Sequence, residues 1–246
     1  PKLISMKLFE VGGHVRDGIL GFESKDVDYT VVMEGDWGDP IEAFDQMVMK
    51  LKDDGFKVFL ETADCFTVRA MFPEDHEHSG VADFVMARKE LGYAKGTRQP
   101  IVTMGTLQDD LDRRDFTVNA MARGIDGTII DPFNGAKDLR DMILRTPMDA
   151  AVSFNDDPLR IMRAIRFHVT KSFGFSDQII DAIKSFDFRL MIVVSDDRIR
   201  EELTKMFKHS TFNSFETLRL LQEWNPQLFA HIMMRDNFWL MPTNKQ

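Results

Sequence analysis

Residues Glu10–Val32 read EVGGHVRDGILGFESKDVDYTVV, and the order of the parts in this stretch decides the fold. A short apolar approach, Leu8, Phe9 and Val11, runs into Gly12-Gly13. Val15, Ile19 and Leu20 follow at helical spacing, so a helix starts after the glycines with Arg16 and Asp17 near its beginning. Gly21 to Lys25 is a polar turn. Asp26-Val27-Asp28 then heads a β-branched run, Tyr29-Thr30-Val31-Val32, which reads as a strand. Side chains two apart on a strand share a face and lie about 7 Å apart along it. Two carboxylates so placed can share a pair of divalent cations about 3.5–4 Å apart. The glycines let backbone N–H groups approach an anion, and the helix N-terminus behind them favours negative charge. Arg16 adds a forked donor for phosphate oxygens. A phosphate cradle beside a two-carboxylate metal site is what attack on a nucleoside triphosphate needs. Each fragment alone is commonplace: Gly-Gly before a helix is usually a turn, and another D-x-D occurs at Asp110-Leu111-Asp112. The order and spacing carry the reading.

The chain has 246 residues, 43% of them hydrophobic, enough for one large core or two modest ones. No run of 18 apolar residues exists, so no membrane span is expected. The stretch PKLISMKLFEV lacks the basic-then-apolar layout of a signal peptide, and a cytoplasmic protein is the expectation. The single cysteine, Cys65, excludes an internal disulfide and any multi-cysteine metal site; it is expected as a small hydrophobe in a strand. A net charge of −9 argues against a general basic surface for nucleic acid. The acidic excess falls in residues 1–150, and residues 151–246 are close to neutral. That division predicts few phosphate contacts and a moderate salt dependence if a nucleic acid binds.

Further along, Asp39-Pro40 has the pattern of a helix cap and first turn, and Phe44, Met47, Val48 and Leu51 mark one buried helical face. Lys57–Leu60 and Phe66–Phe72 read as a hairpin. His76 and His78 lie in a polar turn; nothing nearby in sequence completes a metal site, so a solvated turn is expected. Val81–Met86 alternates as a strand, with Asp83 as its unusual member. An unpaired buried carboxylate is costly, so Asp83 is either solvated at an edge or, the favoured reading, a third carboxylate beside Asp26 and Asp28. Gly92–Gly105 reads as a loop, a mobile element beside a site. Leu107–Ala122 reads as one helix with Leu111, Val118 and Met121 inward. Its Arg113, Arg114 and Asp115 are either a solvated charged face or partly buried groups that want carboxylate or phosphate, and Asn119 can bond a ligand or backbone. Ile125–Pro132 is expected as a hairpin with a D-G turn, and a helix starts at Lys137 and runs to Leu144. The domain boundary is expected at 147/148. Asp157-Pro158 has the cap and first-turn pattern, and Arg160, Arg163 and Arg166 form a winding stripe without acids among them, opposite Ile161, Ile165 and Phe167. Three more helices are expected at Asp177–Phe186, Asp197–His209 and Phe212–Trp224, the second capped by Ser195-Asp196, and Met241–Gln246 is expected to fray.

Taken together, Gly12-Gly13-x-Val15-Arg16-Asp17, Asp26-x-Asp28, Arg113 to Ala120 (RRDFTVNA), Asp131 to Gly135 (DPFNG) with Asp138-Leu139, Asp157 to Phe167 (DPLRIMRAIRF) and Arg198-Ile199-x-x-Glu202 resemble the ordered motifs of the class II tRNA nucleotidyltransferase (CCA-adding enzyme) and bacterial poly(A) polymerase family. The resemblance spans roughly Val11 to Phe207. It implies an α+β fold, a polymerase-β-like nucleotidyltransferase head with a mixed sheet and helices, followed by an all-α neck and partial body. It implies template-independent addition of C, C and A to a tRNA 3′ end from CTP and ATP, with Mg²⁺. By position, Asp26 and Asp28 would hold the metals, and Asp28 would help deprotonate the 3′-hydroxyl. Gly12, Gly13 and Arg16 would face the triphosphate, and Arg114, Asn119, Arg163 and Arg166 would serve the nucleotide. Asp157 and Arg160 would pair with the base edge: a carboxylate accepts the exocyclic amine of C or A, and a guanidinium serves the ring nitrogen or carbonyl. His14 stands where the family usually has a small residue; Asp156 and Asp197 stand where Glu is usual. The family normally continues past this length with body and tail helices that hold the tRNA elbow, so a partial body is expected. A poly(A) polymerase-type enzyme shares every catalytic residue, and a nucleotide- or RNA-binding module without catalysis is the other reading.

Overall fold

Alternation in the strand Val27–Glu34 sends Val27, Tyr29, Val31 and Met33 into a core, and the computed structural model, which describes residues 5–93 and 100–235, builds its main sheet around that strand. The chain separates into two compact units, residues 1–136 and 137–246.

The first unit opens with β1 (Ser5–Val11), α1 (Gly13–Ile19), β2 (Val27–Glu34) and α2 (Pro40–Asp53). Then come β3 (Lys57–Thr62), β4 (Thr67–Met71), β5 (Val81–Met86), β6 (Arg88–Tyr93) and β7 (Pro100–Met104). It continues with α3 (Leu107–Asp112), β8 (Ala122–Arg123) and β9 (Ile129–Ile130). Seven strands pair in the order β3-β4-β5-β2-β1-β8-β9. All neighbours are antiparallel except β2 and β5, which are parallel. One face packs on α2 through Ala43, Phe44, Met47, Val48 and Leu51; Asp39 caps this helix by accepting from the Ile41 N–H. On the other face Val11, Leu111 and Ala122 form a smaller cluster.

Several expectations change here. Leu107–Ala122 is not one helix. A Thr106–Asp109 capping box starts α3, which stops at Asp112. Asp115 then accepts from the Phe116 N–H and from Asn119 Nδ2, the local side-chain bonding that competes with helix continuation. Ala122 and Arg123 leave as a strand to pair with Val11 and Glu10. Within Gly92–Gly105, Gly92, Tyr93 and Pro100–Met104 belong to strands: β6 and β7 form a separate hairpin, and residues 94–99, with Met241–Gln246, lie outside the described residues. Cys65 sits in the tight turn between β3 and β4 rather than in a strand, its thiol against Thr62 O and Thr67 Oγ1.

The link to the second unit is α4 (Gly135–Arg140), whose start is fixed by Asp131: its carboxylate accepts from the Gly135 and Ala136 N–H groups. A Cβ at Gly135 would lie 2.1 Å from Thr117 O, so no side chain fits there. The helix ends at Arg140, short of Leu144, because β10 (Ile143–Leu144) pairs with β11 (Gly174–Phe175). The remaining elements are α5 (Ala150–Asp156), α6 (Leu159–Lys171), α7 (Asp177–Ser185), α8 (Asp196–His209), α9 (Thr211–Trp224) and α10 (Pro226–Met233). Ile161, Ile165 and Phe167 are buried on α6, and Ser195 caps α8 by accepting from the Arg198 N–H. No helix among the described residues is long and apolar enough to cross a membrane.

Candidate active site

Pairing register brings the first group together. Val11, Asp28, Asp83 and Arg69 are consecutive partners across β1, β2, β5 and β4. Directly paired residues share a sheet face, so Asp28 and Asp83 stand side by side on the face away from the α2 core, with the exposed Asp26 just before the strand. Arg69 holds Asp83 at 3.0 Å. The Asp28 carboxyl lies above its usual range: desolvation leads, the Asp83 charge comes second, Asp26 adds, and Arg114 and Arg69 oppose.

Beside these acids the backbone turns at Gly12 with φ 74°. A Cβ there would meet Arg114 NH1 at 3.3 Å and Asp28 Oδ2 at 4.0 Å, so the glycine both permits the turn and keeps the space between Arg114 and Asp28. Arg114 is aimed by Asp110, with Nε at 3.1 Å and NH2 at 2.9 Å from Oδ2. Thr30 donates to the same carboxylate at 2.8 Å. Asp110 is 1% exposed, and although burial would raise its pKa, Arg114, Arg113 and the Thr30 hydroxyl hold it below the carboxylate range. Arg16 is also buried: it donates from Nε to Asp17 at 2.9 Å and from NH1 to Asn119 Oδ1 at 2.6 Å, while Asn119 donates to Asp115. This chain props the Gly12-Gly13 turn from within.

The second unit carries its own cluster. Asp157 is the C-cap of α5, and α6 is capped at Pro158 rather than at Asp157, where the sequence pattern put its cap; Asp157 Oδ1 still accepts from the Leu159 N–H at 3.2 Å, and Oδ2 lies 3.8 Å from Arg198. Arg160 donates to Ser153 Oγ at 2.8 Å. The guanidinium carbons of Arg163 and Arg166 lie 5.9 and 4.8 Å from the Phe167 ring centre. Arg166 also bonds the buried Glu202 of α8. The arginine stripe is therefore half-buried, with an acid supplied by a neighbouring helix.

Asp110 and Thr30 were not expected as site residues. Asp110 had one legible signal, an acid four positions before Arg114 on a helical stretch. Thr30 had a weaker one, its place on the Asp28 face. The polar turn needs correction: Glu10 and His14 do lie against His78, while His76 accepts from the His78 N–H and stacks on Phe72.

With oxygen donors alone at Asp26, Asp28 and Asp83, and room kept open by Gly12, the acidic edge suits a hard divalent cation.

A model of the family described as the Poly A polymerase head domain matches residues 8–145. A CCA-adding enzyme of Buchnera aphidicola subsp. Schizaphis graminum is 33% identical over 251 residues, covering 97% of this chain and 55% of that protein. The crystal structure of the Bacillus stearothermophilus CCA-adding enzyme in complex with CTP superposes with a TM-score of 0.69 at 29% identity, over 91% of this chain and 51% of that one. A tRNA nucleotidyltransferase complexed with a primer tRNA and an incoming ATP analog superposes with a TM-score of 0.64 at 28% identity, over 93% and 59%. The mixed-sheet head followed by helices is thus shared with solved relatives. The chain spans about half the length of the curated relatives it matches.

Proposed function

Because this chain belongs to the Poly A polymerase head domain family, we propose that it is a template-independent nucleotidyltransferase that adds C, C and A to tRNA 3′ ends from CTP and ATP. The observation that carries the proposal is the row of acids at Asp26, Asp28 and Asp83 beside the Gly12 turn and Arg114. Mg²⁺ held by Asp26 and Asp28, with Asp83 as a third carboxylate, would supply charge neutralisation for the triphosphate. The protein's own groups do the rest. Backbone N–H groups at Gly12 and Gly13 floor the phosphates. Arg114, held in place by Asp110, presents its remaining NH1 edge toward them. Arg16, its Nε and NH1 committed to Asp17 and Asn119, keeps the turn in shape and adds positive charge beneath it. Asp28 helps take the proton of the 3′-hydroxyl as its oxygen bonds the α-phosphorus and the α–β phosphoanhydride bond breaks, releasing pyrophosphate. In the second unit, Asp157 Oδ2 and Arg160 serve the base edge of C or A, a pattern U and G do not match. Arg163 and Arg166 serve the nucleotide from the same helix, with Arg166 oriented by Glu202. The part of the relatives beyond this chain's span is where a firmer tRNA grip belongs, and a cytoplasmic setting completes the proposal.

The test offers a tRNA lacking its 3′ end with labelled CTP, then ATP, then both. Two C additions with CTP alone and three in all with both are the expected result. A long A-tail from ATP would instead make the protein a poly(A)-type enzyme, the reading the family's own description favours. No product with either triphosphate would leave only nucleotide or RNA binding.

A further inference from the structure

A second cluster lies on the first unit, apart from the acidic row. Glu10 is the next-to-last residue of β1, His14 follows the Gly12-Gly13 turn in α1, and His78 comes from the turn between β4 and β5. Their ligand atoms all lie within 4.8 Å of one another. His78 Nε2 is 2.7 Å from Glu10 Oε1, and His14 Nε2 is 3.5 Å from Glu10 Oε2. The two rings meet edge to face with centroids 5.4 Å apart. Both histidines and the glutamate are largely shielded, with side-chain exposures of 12%, 23% and 12% for His14, His78 and Glu10. His14 Nδ1 is buried with no hydrogen-bond partner.

From this geometry we propose that Glu10, His14 and His78 bind one Zn²⁺, a site separate in position and chemistry from the Mg²⁺ edge. Two imidazoles and one carboxylate are a borderline-soft donor set that suits Zn²⁺ and not Mg²⁺, which keeps oxygen ligands. Bonds of about 2.0–2.2 Å place tetrahedral ligands roughly 3.3 Å apart, so the observed spacings need only small side-chain rotations. A cavity of about 330 Å³ lined by Glu10, His78, Tyr29 and Arg123 opens beside the cluster and admits the water that takes the fourth position. Arg123 bonds Glu10 Oε2 from Nε and NH2, both at 2.7 Å, and so orients the carboxylate from outside the metal shell. Its positive charge also weakens the site, which makes this a site of moderate affinity. The consequence is mechanical. Glu10 and His14 bracket Gly12-Gly13, so the ion ties that turn to the turn carrying His78.

The test uses the full chain without an affinity tag, stripped of metal and titrated with Co²⁺ as the visible reporter. One Co²⁺ per chain with the absorption of a tetrahedral centre is expected, displaced by one Zn²⁺, with a higher melting temperature in Zn²⁺. His14→Ala and His78→Ala each weaken binding about tenfold or more, and His76→Ala leaves it unchanged. If His78→Ala fails to fold, His14→Ala decides alone. Absence of a stoichiometric tetrahedral band, binding in either ligand variant equal to that of the wild type, or loss on His76→Ala overturns the proposal. The readout is metal binding, so failure of the nucleotidyl-transfer reading leaves it standing and the reverse also holds.

Discussion

Asp28 and Asp110 lie on the same side of one sheet, and the protein treats them in opposite ways. Asp28 stands at a strand end beside Asp83 and Asp26, and desolvation, followed by their charges, pushes its carboxyl above the usual range. Asp110 is 1% exposed, yet Arg114, Arg113 and Thr30 hold it below that range. The first arrangement works against folding, since desolvation and like charges both disfavour the ionised Asp28 carboxyl, and Arg114 and Arg69 offset them only in part. The second arrangement ties α3 to β2 and at the same time aims Arg114 at Gly12. A carboxylate kept under repulsion is there for something it binds; a carboxylate kept fully paired is there for the fold.

That contrast can be broken by removing one acid at a time. Asp28→Asn should cut nucleotide incorporation about 10⁴-fold, roughly 5 kcal/mol of barrier, while the melting temperature holds or rises. A large fall in melting temperature would put Asp28 in the structural class. Asp110→Ala leaves two arginines without their buried counter-charge and should cost about 3–5 kcal/mol in urea unfolding. Stability unchanged by that substitution would dissolve the distinction from the other side.

Acid sharpens the comparison. Because the folded pKa of Asp110 is depressed, its contribution is complete above the unfolded value of about 3.9 and is lost as pH falls through the folded value. The urea midpoints of the wild type and Asp110→Asn should therefore converge as the pH drops from about 5 toward about 2. Midpoints that stay parallel would mean that Asp110 carries no depressed pKa. The smallest effect is expected from Asp83→Asn. Removing that neighbour should bring the Asp28 carboxyl back toward its ordinary range, followed by NMR titration, with stability changed by no more than about 1 kcal/mol because the Arg69 pair is exposed.

Much of this architecture was legible in the linear chain, for identifiable reasons. A β-branched run marked β2; alternation marked β5 and an apolar period marked α2, because each of the last two records which side of an element is buried. Asp39 and Ser195 announced helix starts by the backbone donors they satisfy. Where local chemistry was misjudged, the cause is also local: Asp115 interrupts what an apolar period alone would continue as helix. The hairpin of β6 and β7 was hidden because its strands carry no clean alternation.

What the sequence by itself determined is the succession of glycine turn, helix and acid-headed strand, and with it the family and the chemistry to look for. The tertiary structure alone decided which charges meet. Thr30 and Asp110 are 80 residues apart, Arg16 and Asn119 are 103 apart, and Glu10 and His78 are 68 apart. Periodicity tells a side chain whether it faces the core. Its partner depends on strand register and on how a helix is seated against the sheet, and both are set by packing summed over the whole unit.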